Sequence, residues 1–357
     1  MIKMDITFAE RFKIFNTIDE LRPFQQEVCD KLMEEKRVCI STHSGNGKTT
    51  MIKYLAFSFL DQSQSNRCVI FVNTRILALD IEKSMDDIML PEDRGLLCNL
   101  CKFDSQNYAT SSELESARIF ISTPGKFKRF INKIGARFNF VCIDEVDSLL
   151  ETKGDVMESD ILDILRQLRF EYSLVVTATL NKDVYTHIID KYYFVTKEFN
   201  HVAPPMQVMR IALNKRDRDW HIMVCDKIYY IVQEHRMHKR VIVFCNYKED
   251  CDKLYNEYSA APNSKFCIHG KYSTAEIDSM FREYQQTGKI LFTTDMAQRG
   301  LDVRDIDIIF HVGLTNPKTF YHRNGRTLRK VGASPLCFIF YDNENHEIVK
   351  NVPEKEF

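Results

Sequence analysis

Short apolar runs alternate with stretches in which apolar residues recur at helical spacing, and this alternation occurs twice along the chain. In the first half the runs predict strands at 38–41, 68–73, 119–122, 140–143 and 174–177. In the second half they predict strands at 241–245, 265–269, 290–293, 307–312 and 336–341. Helical patterns at 24–36 and 220–235 precede the first strand of each half. Strands that are apolar on both faces suit a parallel sheet buried between layers of helices. Between the halves, Asn200-His201-Val202-Ala203-Pro204-Pro205 reads as a linker, because adjacent prolines deny it regular structure. The expected fold class is α/β, with one domain over 1–203 and a second over 204–357, each a mostly parallel sheet flanked by helices.

Composition fits that division. The 357 residues are 44% hydrophobic, enough for two cores. Lys and Arg number 49 against 50 Asp and Glu, a formal net charge of -1 that argues against a long basic tail. A local basic groove is still compatible, since binding depends on where charge sits. The start, Met1-Ile2-Lys3-Met4-Asp5, lacks the apolar core of a secretory signal, and no run reaches the roughly 18 apolar residues of a membrane span. Most of the 11 cysteines sit in apolar segments, as reduced thiols do. Cys98 and Cys101 form a CxxC without a second pair, so core thiols are favoured over a zinc site. The expectation is an intracellular chain, cytoplasmic or nuclear, with no membrane association.

The chemistry begins at Ser44-Gly45-Asn46-Gly47-Lys48-Thr49-Thr50, between a predicted strand and a predicted helix. Glycines let successive backbone N–H groups face phosphate oxygens, and the following helix adds its positive dipole end. Lys48 is then placed for the β/γ-phosphates and the Thr49 hydroxyl for Mg²⁺. The general pattern calls for glycine at position 42, where this chain has Thr42. A second element, Asp144-Glu145-Val146-Asp147, follows the apolar run at 140–143. Asp144 can hold the metal through water, and Glu145 can orient or deprotonate the water that attacks the γ-phosphate. An isolated DExD also suits a solvated acidic turn, but its place after a strand, with Lys48 and Thr49 upstream, points to ATP hydrolysis. In the second half, Arg326 and Arg329 lie three apart on one helix face, fit to stabilise charge on a transferring phosphoryl group or to form a solvated basic surface.

Further blocks complete an ordered set: Asn73-Thr74-Arg75-Ile76-Leu77-Ala78, Ser122-Thr123-Pro124-Gly125-Lys126, Thr177-Ala178-Thr179, Val243-Phe244-Cys245-Asn246, His269-Gly270 and Thr293-Thr294-Asp295-Met296-Ala297-Gln298-Arg299-Gly300-Leu301-Asp302, then His322-Arg323-Asn324-Gly325-Arg326-Thr327-Leu328-Arg329. In this order the chain resembles the DEAD-box-type RNA helicases of superfamily 2, from about Leu21 to about Tyr341. The first block stands for PTRELA, the second for TPGR, the third for SAT and the last for HRxGRTGR. The resemblance implies two RecA-like domains that close around ATP and single-stranded RNA.

Carried over by position, Gln25, the 44–50 loop and Asp302 hold ATP, with Thr49 and Asp144 on Mg²⁺. Thr74, Arg75, Thr123, Pro124 and Gly125 grip RNA from the first domain, and Thr294, Asp295 and Arg299 from the second. Thr177 and Thr179 couple the two sites by bonding to Asp147, His322 joins that network, and Arg326 and Arg329 are arginine fingers. Leu328 replaces a glycine of the last block and Val146 the alanine of DEAD. Leu21-Arg22-Pro23-Phe24-Gln25 retains only the Pro-x-Gln ending of the adenine-reading block, so Gln25 is read either as an adenine contact or as a helix-start residue. The function expected is an ATP-dependent RNA helicase whose pathway is set by protein partners. A superfamily 2 DNA helicase or translocase and an ATP-gated RNA clamp are the alternatives.

Overall fold

The computed structural model describes residues 21–42, 47–103, 108–150, 156–177, 180–199, 207–235, 240–260, 264–287, 289–294, 306–314, 319–320, 323–324, 336–343 and 346–350. The chain divides into two compact units, Met1–His201 and Val202–Phe357, two residues ahead of the expected 203/204 boundary. The 200–205 linker itself lies outside the described residues.

The first unit is built on seven strands: β1 Arg37–Thr42, β2 Cys68–Phe71, β3 Leu97–Asn99, β4 Ile119–Ser122, β5 Arg137–Ile143, β6 Arg169–Thr177 and β7 Val195–Phe199. Their order is β3-β4-β2-β5-β6-β1-β7, and every pairing is parallel. Alternation along each strand supplies two cores. Ile40, Ile70, Ile121, Cys142 and Val176 face one layer, which includes helices α1 Pro23–Glu35, α2 Lys48–Gln62 and α3 Arg75–Asp86. Cys39, Phe71, Phe120, Val141 and Val175 face the other, which includes α4 Ser111–Ser116, α5 Pro124–Ile134, α6 Val146–Leu150 and α7 Val156–Gln167. Sequence dictates the local helices as well: in α5, Pro124 occupies the first turn and Phe127, Ile131 and Ile134 recur on the buried face.

The second unit carries six strands, β8 Gln207–Ala212, β9 Arg240–Cys245, β10 Lys265–Ile268, β11 Ile290–Thr293, β12 Ile306–Val312 and β13 Leu336–Tyr341. They are ordered β10-β11-β9-β12-β13-β8, again all parallel. Helices α8 Trp220–Glu234 and α9 Lys248–Glu257 pack on one face. Helix α10 Thr274–Thr287 packs on the other, and α11 His346–Lys350 covers the β13 end. All ten expected strands form. The three not expected, β3, β7 and β8, each lie at a sheet edge. Among the described residues, no helix is long and apolar enough to cross a membrane.

His311 on β12 is fully buried, stacked on Phe244 at 5.7 Å, with Nε2 3.1 Å from Asn324 Oδ1. A carbonyl oxygen only accepts, so the ring proton belongs on Nε2. Burial first, and the Arg323 guanidinium second, lower the His311 pKa from 6.5 to about 3. The folded state therefore refuses a proton that the unfolded state takes up below pH 6.5, so stability is full above that pH and falls as pH drops towards 3. At pH 5 the loss is about 2 kcal/mol. Trp220, the chain's single tryptophan, lies in this unit and reports its unfolding. Its fluorescence-detected midpoint in urea should fall between pH 7 and pH 5, and fall less in His311→Gln, which cannot titrate.

Candidate active site

Parallel pairing brings the carboxyl ends of β4, β2, β5, β6 and β1 to one edge of the first sheet, in that order. The β1 end carries the phosphate loop. Gly47 caps α2 in a left-handed conformation (φ 82°) and accepts a 2.9 Å hydrogen bond from Gln25 Nε2 at its carbonyl. A Cβ at position 47 would lie 2.7 Å from that nitrogen, so only glycine satisfies both the backbone and the approach of Gln25. Gln25 is buried, and its Oε1 accepts from the Arg22 N–H at 2.8 Å. The amide thus ties the start of α1 to the loop. Lys48 opens α2 and is buried, with Nζ donating to the Thr42 carbonyl at 3.2 Å. Thr49 and Thr50 complete this first turn, half-buried.

Beyond β5 stand the acidic residues. Asp144 is buried and accepts from the Glu145 N–H at 3.0 Å. Glu145 is buried and has φ 51°, in the left-handed region that a non-glycine residue enters at a cost of about 1–2 kcal/mol. Its Oε2 accepts a 2.9 Å hydrogen bond from Asn73 Nδ2. Asp147 in α6 and Thr177 at the end of the neighbouring β6 are both buried.

The β2 and β4 ends carry helix starts. Thr74 caps α3, its hydroxyl accepting from the Leu77 N–H at 3.2 Å, and Arg75 is the first residue of that helix. Thr123 precedes Pro124 at the start of α5. Its N–H donates to the Cys101 Sγ at 3.3 Å. A Cβ on Gly125 would meet Asp160 Oδ2 at 3.0 Å, a buried carboxylate paired with Lys128 at 2.8 Å. Two helix N-termini side by side on adjacent strands present positive dipole ends, which suit an anionic group. The CxxC holds core thiols: burial pushes Cys98 up to about 12, and burial also raises Cys101 against the lowering effect of its Thr123 bonds.

The corresponding edge of the second unit is organised by Arg323, which is fully buried. Its guanidinium donates to the carbonyls of Gly313 (3.2 Å) and Cys245 (3.3 Å) and to Asn246 Oδ1 (3.1 Å), over the Phe244 ring. These contacts clasp the ends of β12 and β9. Next to it, Thr293 Oγ1 donates to the Ile268 carbonyl at 2.7 Å, immediately before Thr294. His269 Nε2 lies 2.7 Å from Asp252 Oδ1, and Lys271 Nζ holds Oδ2 at 2.8 Å. Burial pushes the Asp252 carboxyl up, yet hydrogen bonds from Lys271 and His269 hold it below its ordinary value. Cys267 completes a trio with metal-like spacing, but both Asp252 oxygens are already engaged.

Of the residues expected at the site, the structure gathers Gln25, Gly47, Lys48, Thr49, Thr50, Thr74, Arg75, Thr123, Pro124, Gly125, Asp144, Glu145, Asp147 and Thr177 at one edge of the first unit. Ser44, Gly45, Asn46, Thr179, Asp295, Arg299, Asp302, His322, Arg326 and Arg329 lie outside the described residues. Sequence reasoning gave no role to Asn73, Cys101 or Arg323. Arg323 and Asn73 had a signal in their places within the last and first of the ordered blocks, and Cys101 in the CxxC.

The DEAD/DEAH box helicase family model matches residues 22–187, and the helicase conserved C-terminal domain model matches residues 222–331. The chain belongs to the DEAD-box helicases of superfamily 2, ATP-hydrolysing enzymes built from two RecA-like domains. It is 22% identical over 328 residues to the ATP-dependent RNA helicase eIF4A of Mycosarcoma maydis, covering 89% of this chain and 77% of that protein. It is 25% identical over 357 residues to the ATP-dependent RNA helicase DBP3 of Eremothecium gossypii, covering 91% of this chain and 62% of the relative. Among solved structures, S. cerevisiae Dbp5 bound to RNA and ADP BeF3 superposes with a TM-score of 0.78 at 18% identity, covering 98% of this chain and 90% of that one.

Gly47 gives a direct test of the loop geometry. Gly47→Ala adds a Cβ against Gln25 at a left-handed position, so it should lower thermal stability by about 1 kcal/mol or more and weaken binding of a fluorescent ATP analogue at least tenfold. Unchanged melting and unchanged analogue affinity would contradict the close approach.

Proposed function

We propose that the chain is an ATP-dependent RNA helicase that couples ATP hydrolysis to binding and local unwinding or remodelling of RNA. The observation that carries the reading is the division of one sheet edge. Lys48 follows β1 and Asp144 and Glu145 follow β5, while the helix starts of Thr74 and Thr123 follow β2 and β4. The relatives named above are RNA helicases, and the Dbp5 structure holds RNA with a nucleotide analogue.

In this reading Lys48 leaves the Thr42 carbonyl for the β/γ-phosphates, and the N-terminus of α2 faces them. A hydroxyl on Thr49 and a carboxylate on Asp144 are oxygen donors, which suit Mg²⁺; that ion, when bound, neutralises charge on the phosphate oxygens. Glu145 orients the attacking water and takes its proton. Gln25 and Asp302 contact the adenosine, with the Gln25 amide kept in place by its bond to Gly47. Arg326 and Arg329 supply positive charge to the transferring phosphoryl group, an effect worth roughly 10³–10⁵ in rate for such arginines. Thr74, Arg75, Thr123, Pro124 and Gly125, with Thr294, Asp295 and Arg299, hold phosphate and ribose without reading bases. Asp147, Thr177, Thr179 and His322 relay between nucleotide and RNA. Protein partners set the pathway.

Glu145→Gln should lower RNA-stimulated ATP turnover by at least about 10³-fold while RNA binding in the presence of AMP-PNP persists; normal turnover would remove Glu145 from its role. Separately, ATPase stimulation by a single-stranded RNA should exceed that by DNA of equal length and sequence. Stronger stimulation by DNA would assign the chain to DNA instead.

A further inference from the structure

We propose that Asn73 is a positioning residue for Glu145. The proposal rests on the reading of Glu145 as the group that orients the attacking water. β2 and β5 are neighbours, with Phe71 paired to Ile143, so Asn73 and Glu145 each stand two residues past the end of their strand. Both are buried, and Asn73 Nδ2 donates to Glu145 Oε2 at 2.9 Å. A carboxylate only accepts, so the amide has one orientation here.

Two features show that this bond is not explained by stability. Among the described residues Asn73 Oδ1 is buried with no hydrogen-bond partner, a state that costs on the order of 1–3 kcal/mol. Glu145 is held at φ 51°, a further penalty. An apolar residue at 73, or the proline of the PTRELA block that this segment resembles, leaves no such buried carbonyl. What the asparagine provides is a fixed rotamer for the Glu145 side chain. It does so from the residue directly before Thr74 and Arg75, at the junction between the nucleotide and nucleic-acid portions of the edge.

The test is steady-state ATPase with poly(U) RNA on Asn73→Ala and the isosteric Asn73→Asp, beside Glu145→Gln and the double variant Asn73→Ala/Glu145→Gln. Asn73→Ala should lower kcat about 10- to 100-fold, with KM for ATP and RNA affinity in AMP-PNP within about twofold of wild type. Asn73→Asp sets one carboxylate against another, so it should be slower still at neutral pH, with its pH–rate profile displaced to the acid side, where the pair shares a proton. The double variant should be no slower than Glu145→Gln alone. Wild-type kcat in Asn73→Ala, with Glu145→Gln inactive, overturns the positioning role and leaves the reading of Glu145 standing. Normal turnover by Glu145→Gln overturns that reading instead. Equal losses in the Ala and Asp variants, with no displacement of the pH profile, reduce Asn73 to packing. Should Asn73→Ala fail to fold, the volume-conserving Asp variant decides the matter through its pH profile.

Discussion

Parallel pairing throughout a sheet sends every strand out at the same edge, and every return helix then begins at that edge. Each helix start leaves backbone N–H groups without an intrahelical partner and carries partial positive charge. In the first unit this puts the N-termini of α3 and α5 side by side beyond β2 and β4, with that of α2 beyond β1 at the same edge, β5 and β6 between them. Anionic ligands complement such a row. The acidic pair Asp144 and Glu145 sits within the row on β5, between the β1 loop and the β2 helix start. Repulsion between those carboxylates and phosphates is the electrostatic problem of the site. In the proposed reading Lys48, together with a cation that Thr49 and Asp144 would hold, would offset that repulsion.

The second unit meets a related constraint with a buried cation. A fully desolvated guanidinium costs several kcal/mol unless its donors are met. Arg323 meets it with two strand-end carbonyls, the Asn246 amide oxygen and the Phe244 ring. That placement has consequences for its neighbours. His311 stacks on the opposite strand's Phe244 and cannot also carry charge, so it stays neutral and bonds to Asn324. Arg323 is thereby attached to the ends of β9 and β12.

Legibility in the sequence followed burial. Central strands are covered on both faces, and their continuous apolar runs, such as Val141-Cys142-Ile143, announced them. The strands that escaped detection are β3, β7 and β8, all at edges and incompletely buried where described. Val195-Thr196-Lys197-Glu198-Phe199 carries two charges in five residues, as an edge open to solvent does. Site residues were legible where chemistry demands a residue type at a fixed offset, as with Gly47-Lys48-Thr49 after β1. Asn73 and Arg323 were not, because their roles depend on what lies across a strand boundary: 72 residues away for the Asn73–Glu145 bond and 78 for Arg323 to Cys245. The sequence blocks mark both residues, but spacing along the chain does not reveal the partner of either.

Glu145 is fixed by more than its side chain. Asp144 N–H is bonded to the Phe71 carbonyl at 2.9 Å, which anchors the residue before it to β2. Its own N–H is taken by Asp144 Oδ1, and its carbonyl accepts from the Ser148 N–H at 2.9 Å as the helix begins. Strand, side chain and helix thus over-determine a left-handed residue, which is the condition under which such strain persists. Relaxing it would break bonds on both β2 and β5. The carboxylate's direction is therefore a property of the strand pair rather than of the loop. The start of α3 follows β2, and β6 alone separates β5 from the β1 loop, so the Glu145 carboxylate is held by the strands that lie between those two helix starts.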